Sequence, residues 1–182
     1  FDLTKIILRE SNRLTQTITN FLRFARPEET RQEWFSLLSC MEEVVQTFEA
    51  SLKLPTSLEL RFKFQENFTV WGDRKQLTVV FNELIQNALA FCPEGKEIIE
   101  LEAYESTEND ENFSILHFND NGPGITPINK SLVFEPFFTT RTDGTGLGLS
   151  IIRQTLENHN GSIEIEKSQL GGSSFVLKLP LP

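Results

Sequence analysis

The chain has 182 residues, a formal net charge of −9 and 38% hydrophobic residues, with 16 Phe. This length and apolar content are enough for one folded domain with an appendage, and they exclude a disordered or fibrous chain. The negative charge argues against nucleic acid as the main partner, because neutralising its phosphates requires clustered Lys and Arg. Cys40 and Cys92 are isolated and lack CxxC spacing. We therefore expect no disulfide framework or zinc site, and a reducing compartment.

The first segment, residues 1–27, is predicted to be one long helix. Apolar or small residues recur at four- and three-residue spacing between Ile7 and Ala25, which is typical of a helix that packs along one seam. Pro27 ends the pattern, because proline lacks an amide donor and restricts the residue before it. The helix could lie on the core or form half of a dimerising hairpin. The hairpin is favoured because the helix is long and a polar linker, 28–33, follows it.

Residues 34–182 are predicted to form a larger domain of mixed helices and strands. Hydrophobic periodicity predicts helices at 39–53, 73–89 and 146–158, and strands at 58–64, 69–71, 97–104, 113–118, 162–167 and 173–179. The strand 69–71 is taken as a short partner strand. Asp73 followed by Gln76 is a capping box that opens the second of these helices. Helices grouped on one face of a mostly antiparallel sheet predict an α+β fold, a two-layer α/β sandwich.

No stretch of the sequence approaches the roughly eighteen apolar residues that span a bilayer, and no signal peptide is visible. We therefore expect a cytoplasmic chain. Any membrane attachment, such as an inner-membrane anchor, would come through parts outside this chain. The sequence begins at Phe1 within the helical pattern, so we also expect it to be part of something longer.

Glu83 and Asn87 lie four residues apart on the predicted helix 73–89, so their side chains share one face. A carboxylate and an amide oxygen in one pocket suit Mg²⁺, which keeps several waters and bridges phosphates. A solvated polar face is the ordinary interpretation of such a pair. Apolar residues that tie the same helix to the core, and the glycine-rich segments downstream, favour a metal instead.

The sequence DNGPG at 120–124 follows a predicted strand. Gly122 and Gly124 permit backbone conformations that other residues resist, and they let a flat ring approach closely. A carboxylate at Asp120 can accept a hydrogen bond from an exocyclic amino group, which would select adenine over guanine. Taken alone, this pentapeptide would be interpreted as an ordinary tight turn.

The sequence GTGLGL at 144–149 precedes an apolar helix, so its backbone amides are candidates for binding phosphate with help from the helix dipole. It is neither a Walker A loop, which needs Lys before Ser or Thr, nor a dinucleotide fingerprint, which needs a preceding strand. Residues 125–143, here called the lid, are predicted to hinge at the flanking glycines. Arg141 and Lys130 are candidates to reach a triphosphate from the lid, although a lone Arg in a loop is usually only solvated.

In their order along the chain, these segments resemble the nucleotide-binding boxes of sensor histidine kinases. The matching segments are ELIQNA at 83–88, DNGPG at 120–124, FEPFFTT at 134–140 and GTGLGL at 144–149. The resemblance extends over most of the chain. Residues 3–27 are similar to the second helix of the dimerisation hairpin, and 34–179 to the catalytic ATP-binding domain, which implies a Bergerat-type sandwich. The compact lid with Thr-Thr-Arg is most similar to the nitrogen-regulator branch.

The resemblance implies a reaction and a set of site residues. It implies binding of Mg-ATP, transfer of the γ-phosphoryl group to a histidine, relay to a response regulator receiver domain, and a homodimer through the hairpin. Glu83 and Asn87 would be catalytic and would hold the metal. The ATP-binding residues that it implies are Asn87, Asp120, Gly122, Gly124, Phe138, Thr139, Thr140, Arg141, Gly144, Thr145, Gly146, Leu147, Gly148 and Leu149.

The phosphoacceptor of that family is not found in this sequence. The family carries it in a His box of the kind His-Glu-Leu-Arg, which does not occur here. His117 alternates within a predicted strand, and His159 precedes an Asn-Gly turn. We therefore expect both histidines to be structural and the acceptor to lie upstream of Phe1.

Two departures from the family pattern leave alternatives open. Glu83 stands where the commonest box has Asn, as in gyrase, MutL and the ninety-kilodalton chaperone, where the carboxylate activates water. Neutral Ala90-Phe91 replaces a usual basic residue, which removes one expected phosphate contact. Glu83 would thus permit two alternatives. One is an ATP-hydrolysing conformational machine, which the segment FEPFFTT at 134–140 and the leading helix disfavour. The other is an anti-sigma-type serine kinase, a class that lacks the leading helix. A degenerate domain that only binds or regulates is disfavoured because every box is intact.

Overall fold

The computed structural model describes residues 3–25, 29–51, 53–142 and 144–182. The described residues contain helices α1 (Leu3–Ala25), α2 (Leu37–Ala50), α3 (Arg74–Phe91), α4 (Pro127–Lys130) and α5 (Gly148–Asn158). Their strands are β1 (Glu33–Ser36), β2 (Glu59–Lys63), β3 (Thr69–Gly72), β4 (Ile98–Glu108), β5 (Glu111–Asp120), β6 (Ser162–Lys167) and β7 (Ser173–Pro180). Pro27, the predicted end of the first helix, lies outside the described residues.

Five strands form one sheet in the order β2-β4-β5-β7-β6. The pairing of β2 with β4 is parallel, and the other three pairings are antiparallel. Strands β1 and β3 form a separate two-stranded antiparallel sheet. The predicted short strand at 69–71 is therefore correct in position, but its partner is β1 and not the preceding strand β2. A cross-strand pair of Trp34 and Trp71, with ring centroids 5.5 Å apart, stabilises this pairing.

The core lies between one face of the five-stranded sheet and helices α2, α3 and α5. Along β5, Leu116 and Phe118 are buried in the core while His117 between them faces the other side, as the two-residue period of a strand requires. Fully buried side chains in this core include Met41, Phe81, Leu84, Leu101 and Ile152. The predicted two-layer sandwich with an N-terminal helix is confirmed.

The beginning of α3 is held by a cap that joins distant parts of the chain. The Asp73 side chain accepts from the Gln76 amide at 3.1 Å, as predicted, and also from the Arg31 amide at 2.9 Å. The Asp73 amide donates to Nε2 of buried His159 at 2.9 Å, where a capping box would use the Gln76 side chain. The other nitrogen, Nδ1, lies 2.7 Å from the Thr155 carbonyl oxygen. In these contacts Nε2 accepts a hydrogen bond and Nδ1 donates one. His159 therefore has a structural role.

Helix α1 exposes much of its apolar surface. Seven large apolar side chains are between 49% and 71% exposed, namely Leu3, Ile7, Leu8, Leu14, Ile18, Phe21 and Leu22. Its described contacts within the chain include α5. None of the helices in the described ranges combines the length and the apolar character needed to cross a bilayer.

Ser114 on β5 carries a hydroxyl that is buried without a hydrogen-bond partner among the described residues. Because an unpaired buried polar group is destabilising, Ser114→Ala is expected to raise the free energy of unfolding by about 1 kcal/mol in urea titrations. Ser150→Ala is the matched control, because Ser150 is also buried but donates to the Leu147 carbonyl at 2.8 Å. The control should lower stability, and changes of the same sign in both variants would contradict the prediction.

Candidate functional site

A cavity of about 440 Å³ lies between α3, the end of β5, the lid and the beginning of α5. Its volume is within the range of about 300 to 1,000 Å³ that is usual for small-molecule sites. Most residues of the predicted site line it, namely Glu83, Asn87, Asp120, Gly124, Phe138, Thr139, Thr140, Arg141, Gly144, Thr145, Gly146, Gly148 and Leu149. The structure thus brings the four predicted boxes to one place.

Gly122 and Leu147, although predicted to contact a ligand, are not among the residues that line the cavity. The Gly122 amide donates to Asp120 Oδ1 at 2.8 Å, and this hydrogen bond closes the turn after β5. Leu147 is fully buried immediately before α5. Both residues therefore act on the cavity indirectly. Gly122 closes the turn that carries Asp120, and Leu147 anchors the start of α5.

Asp120 lies at the end of β5 with one carboxylate oxygen already used. Its Oδ1 accepts from the amides of Gly122 at 2.8 Å and Ser173 at 3.2 Å, which leaves Oδ2 for a ligand. Burial raises the pKa of this carboxyl above its usual value, and the two amide hydrogen bonds oppose the increase. A Cβ at Gly172 would overlap Asp120 Oδ1 and the Gly122 amide, so the close approach of the chain before β7 requires glycine there.

Helix α3 presents Glu83 and Asn87 to the cavity on one face, as their spacing predicts. Asn87 Nδ2 is buried and has no hydrogen-bond partner among the described residues. The Glu83 carboxylate rests against the first residue of α5, because a Cβ at Gly148 would lie 2.5 Å from its Oε2. Helix α5 begins without a side-chain cap. The dipole of this helix favours an anion at its beginning.

The lid contacts both the cavity and the sheet edge. Arg141 lines the cavity, as predicted. Lys130 does not line the cavity, and its Nζ instead donates to the Ile165 carbonyl of β6 at 3.2 Å. The prediction that Lys130 could reach a triphosphate is therefore wrong in this structure, because its ammonium group ties α4 to the open edge of the sheet.

Residues 134–140, here called the phenylalanine segment, are joined to the glycine-rich loop 144–148 at Phe137. The Phe137 amide donates to the Gly146 carbonyl at 2.8 Å. Phe137 has φ of 68° and Gly146 has φ of 70°, both in the left-handed region. A Cβ at Gly146 would overlap the Phe137 backbone, so glycine is required for close approach as well as for its backbone angle. This contact sets Phe138 against the cavity.

Several lining residues were not predicted, namely Gln86, Phe91, Pro123, Ile125, Thr126, Asn129, Val133, Ser173 and Phe175. Phe91 lies four residues after Asn87, so the helical period could have placed it on the same face. Ser173 and Phe175 reach the cavity because β7 pairs with β5, and local sequence carries no signal for that pairing. Among the described residues lining the cavity, Arg141 alone is cationic, whereas Glu83 and Asp120 are acidic.

Comparison with known sequences assigns this chain to a known family. Residues 72–182 match the family model of histidine kinase-, DNA gyrase B- and HSP90-like ATPases. Sporulation kinase B of Bacillus subtilis (strain 168) is 27% identical over 98% of the chain, and sensor histidine kinase ZraS of Salmonella typhimurium is 28% identical over 99%. Signal transduction histidine-protein kinase AtoS of Escherichia coli (strain K12) is 31% identical over 97%. The chain spans between 28% and 41% of the length of these three relatives.

Solved structures show the same architecture. The nucleotide-free catalytic domain of histidine kinase ThkA is 30% identical with a TM-score of 0.67, and the match covers 82% of this chain and 95% of that one. Acinetobacter baumannii histidine kinase AdeS, at 24% identity, has the same fold with a TM-score of 0.76 over 98% of this chain and 83% of its own. Because the family model covers more than half of the chain, this protein belongs to the histidine kinase-, DNA gyrase B- and HSP90-like ATPase family.

Proposed function

We propose that the chain is the catalytic part of a sensor histidine kinase, which binds Mg-ATP and transfers its γ-phosphoryl group to a histidine for relay to a response regulator receiver domain. The observation that carries the proposal is that Asp120, Asn87 and the beginning of α5 all face the same cavity. The relatives reported above are named as kinases, which supports the same activity.

In this proposal Asp120 recognises the base. Its Oδ2 accepts a hydrogen bond from the exocyclic amino group of adenine, while Oδ1 stays bound to the two backbone amides. Phe91, Ile125 and Phe175 supply apolar wall around the ring, and Gly124 lets it approach the backbone. Guanine presents a carbonyl oxygen at the corresponding position, which a carboxylate repels, so ATP is preferred to GTP.

The phosphates lie toward α5 and the lid. The first amides of α5 and the loop 144–148 bind phosphate oxygens, and Arg141 adds a positive charge from the lid. Asn87 and Glu83 would hold Mg²⁺. Asn87 Nδ2, which has no partner among the described residues, can donate to a phosphate oxygen or to a water of the hydrated ion. No cluster of three or more His, Cys, Asp or Glu in the described ranges forms a protein-only metal cage. When bound, Mg²⁺ supplies the charge neutralisation that phosphoryl transfer requires.

Helix α1 belongs in this proposal to the dimerisation hairpin. Its exposed apolar side chains need a partner, and a second helix and a second copy would provide one. The proposed domains are 1–27 for the hairpin part, 28–33 for the linker and 34–182 for the catalytic domain. Membership of the nitrogen-regulator branch and a cytoplasmic location, with any membrane anchor elsewhere, are part of the same proposal.

The proposal predicts ATP binding without self-labelling. With Mg²⁺, calorimetry should show ATP binding in preference to GTP. Incubation with γ-labelled ATP should leave the chain unlabelled under denaturing, alkaline conditions that preserve phosphohistidine, because His159 is buried in a hydrogen-bonded role and His117 lies on the outer sheet face. Stable label on either histidine would contradict the structural assignment, and absence of ATP binding would contradict the whole proposal.

An ATP-hydrolysing machine is the alternative that Glu83 would permit. In a kinase, Glu83 orients the Mg-bound phosphates or the incoming imidazole, so hydrolysis by this chain should be slow. In a hydrolase it is the general base, and Glu83→Gln should then reduce hydrolysis by roughly 100-fold while ATP still binds. Fast ATP hydrolysis that Glu83→Gln abolishes would favour the ATP-hydrolysing machine over the kinase.

A further inference from the structure

Arg153 on α5 lies over the ring of Phe134, directly after the cavity-lining residue Val133 of the lid. Its guanidinium carbon lies 4.6 Å from the ring centroid of Phe134. Its Nη1 also lies 3.9 Å from Glu135 Oε1. Arg153 is not among the residues that line the cavity, so the structure gives it no contact with the site itself.

The contact with the ring is the stronger of the two. The side chains of Arg153 and Glu135 are 38% and 58% exposed, and ion pairs between exposed groups contribute little. Phe134 is only 7% exposed, and a cation over a desolvated aromatic face is held more firmly. Phe134 is buried outside the central core, so its position depends on local contacts such as this one.

The segment 134–137 is thus anchored near both ends. Arg153 covers Phe134 at the start, and the Phe137 amide is bonded to the Gly146 carbonyl at the end. Immediately after the second anchor, residues 138–141 line the cavity. Val133, directly before the first anchor, lines the cavity as well. Loss of the first anchor would let the segment pivot about the second one and would displace the cavity-lining residues that flank it.

We propose that Arg153 is a positioning residue that holds the lid segment 134–138 in its nucleotide-binding arrangement. One turn before it, Leu149 lines the cavity, so the same face of α5 joins the phosphate end of the site to the lid. The inference rests on the proposed function for its effect on ATP, whereas its effect on the lid does not need a ligand.

The test compares Arg153→Gln with Arg153→Lys. Hydrogen exchange of lid amides in the ligand-free protein should be faster in Arg153→Gln, and calorimetry should show ATP binding about 3- to 10-fold weaker, the range expected for one lost cation–ring contact. Arg153→Lys keeps a cation over the ring, so it should restore most of the lid protection from exchange and most of the ATP affinity. Phe134→Leu should weaken binding similarly, and adding Arg153→Gln to it should change little.

Lys178→Gln is the matched control. Lys178 lies 4.0 Å over the ring of Phe113 and pairs with Glu108, on the outer sheet face away from the cavity. It should change neither lid exchange nor ATP affinity. Unchanged lid exchange in Arg153→Gln, or an equal change in Lys178→Gln, would overturn the inference. If the wild type failed to bind ATP, the proposed function would fall, while lid exchange would still test Arg153.

Discussion

Asp120→Asn is expected to weaken ATP binding by about 10- to 150-fold without loss of the fold. The mutation replaces a charge-assisted hydrogen bond to the adenine amino group, a contact that contributes on the order of 1.5 to 3 kcal/mol. The asparagine amide oxygen can still accept from the amides of Gly122 and Ser173, so the turn after β5 should survive. Calorimetry of ATP binding with a melting curve of each protein measures both effects.

The same mutation is expected to leave the melting temperature unchanged or higher at neutral pH. Burial raises the pKa of Asp120 in the folded protein above its unfolded value, so the folded state holds the proton more tightly. The free energy of unfolding therefore falls as pH rises through the interval between the two pKa values, and the ionised carboxylate is destabilising above it. Asparagine removes this penalty, which makes the binding site a place where function costs stability.

ATP affinity should also depend on pH in the wild type alone. Binding requires the ionised carboxylate, so affinity should decline as pH falls through the raised pKa of Asp120, and the decline should vanish in Asp120→Asn. Asp110→Asn is the control, because Asp110 lies in the exposed turn between β4 and β5 with φ of 66°, which asparagine tolerates. Unchanged affinity in a folded Asp120→Asn protein would remove Asp120 from the site.

Gly148→Ala should weaken ATP binding in the presence of Mg²⁺ by about tenfold or more. A Cβ at this position would lie 2.5 Å from Glu83 Oε2, so the carboxylate must move away from the proposed metal position. Losing a charged contact of this kind costs on the order of 1.5 to 3 kcal/mol. Affinity measured with and without Mg²⁺ isolates the effect, which should be absent when the ion is omitted.

The stability of Gly148→Ala should change in the opposite direction. Alanine is favoured over glycine within a helix by up to about 1 kcal/mol, and Gly148 is the first residue of α5. Glu83→Gln provides the comparison, because it weakens the same contact chemically and leaves Gly148 in place. If Gly148→Ala lost affinity equally without Mg²⁺, the clash would act on the phosphate-binding amides and not through Glu83.

The sequence predicted most of the elements and most of the residues that line the candidate site because both depend on local signals, whereas the short elements β1 and α4 were not predicted. The boxes at 120–124 and 144–149 are short and carry glycines that constrain the backbone around them, and the box at 83–88 lies on a helix that Asp73 caps and an apolar period predicts. Their convergence on one cavity followed from the family resemblance. The positions that escaped prediction depend on pairings between distant segments.

The corrections share this cause. The partner of β3 is a strand more than thirty residues earlier, the contact of Lys130 is a carbonyl on β6, and Ser173 and Phe175 enter through the pairing of β7 with β5. Periodicity reports which face of an element is apolar, but it does not report which other element covers that face. Gly122 and Leu147 were assigned to the ligand because they belong to the matching boxes, whereas the structure uses one within its turn and buries the other immediately before α5.

The cap at the beginning of α3 has a consequence for the order in which the protein folds during synthesis. The Asp73 amide finds its acceptor, His159, 86 residues later in the chain. A ribosome has therefore released all of α3 long before the histidine that completes its cap has been made. The cap of the helix that carries Glu83 and Asn87 is therefore complete only after His159 has been made, so a chain truncated or stalled before that residue would contain every residue of α3 without the finished cap.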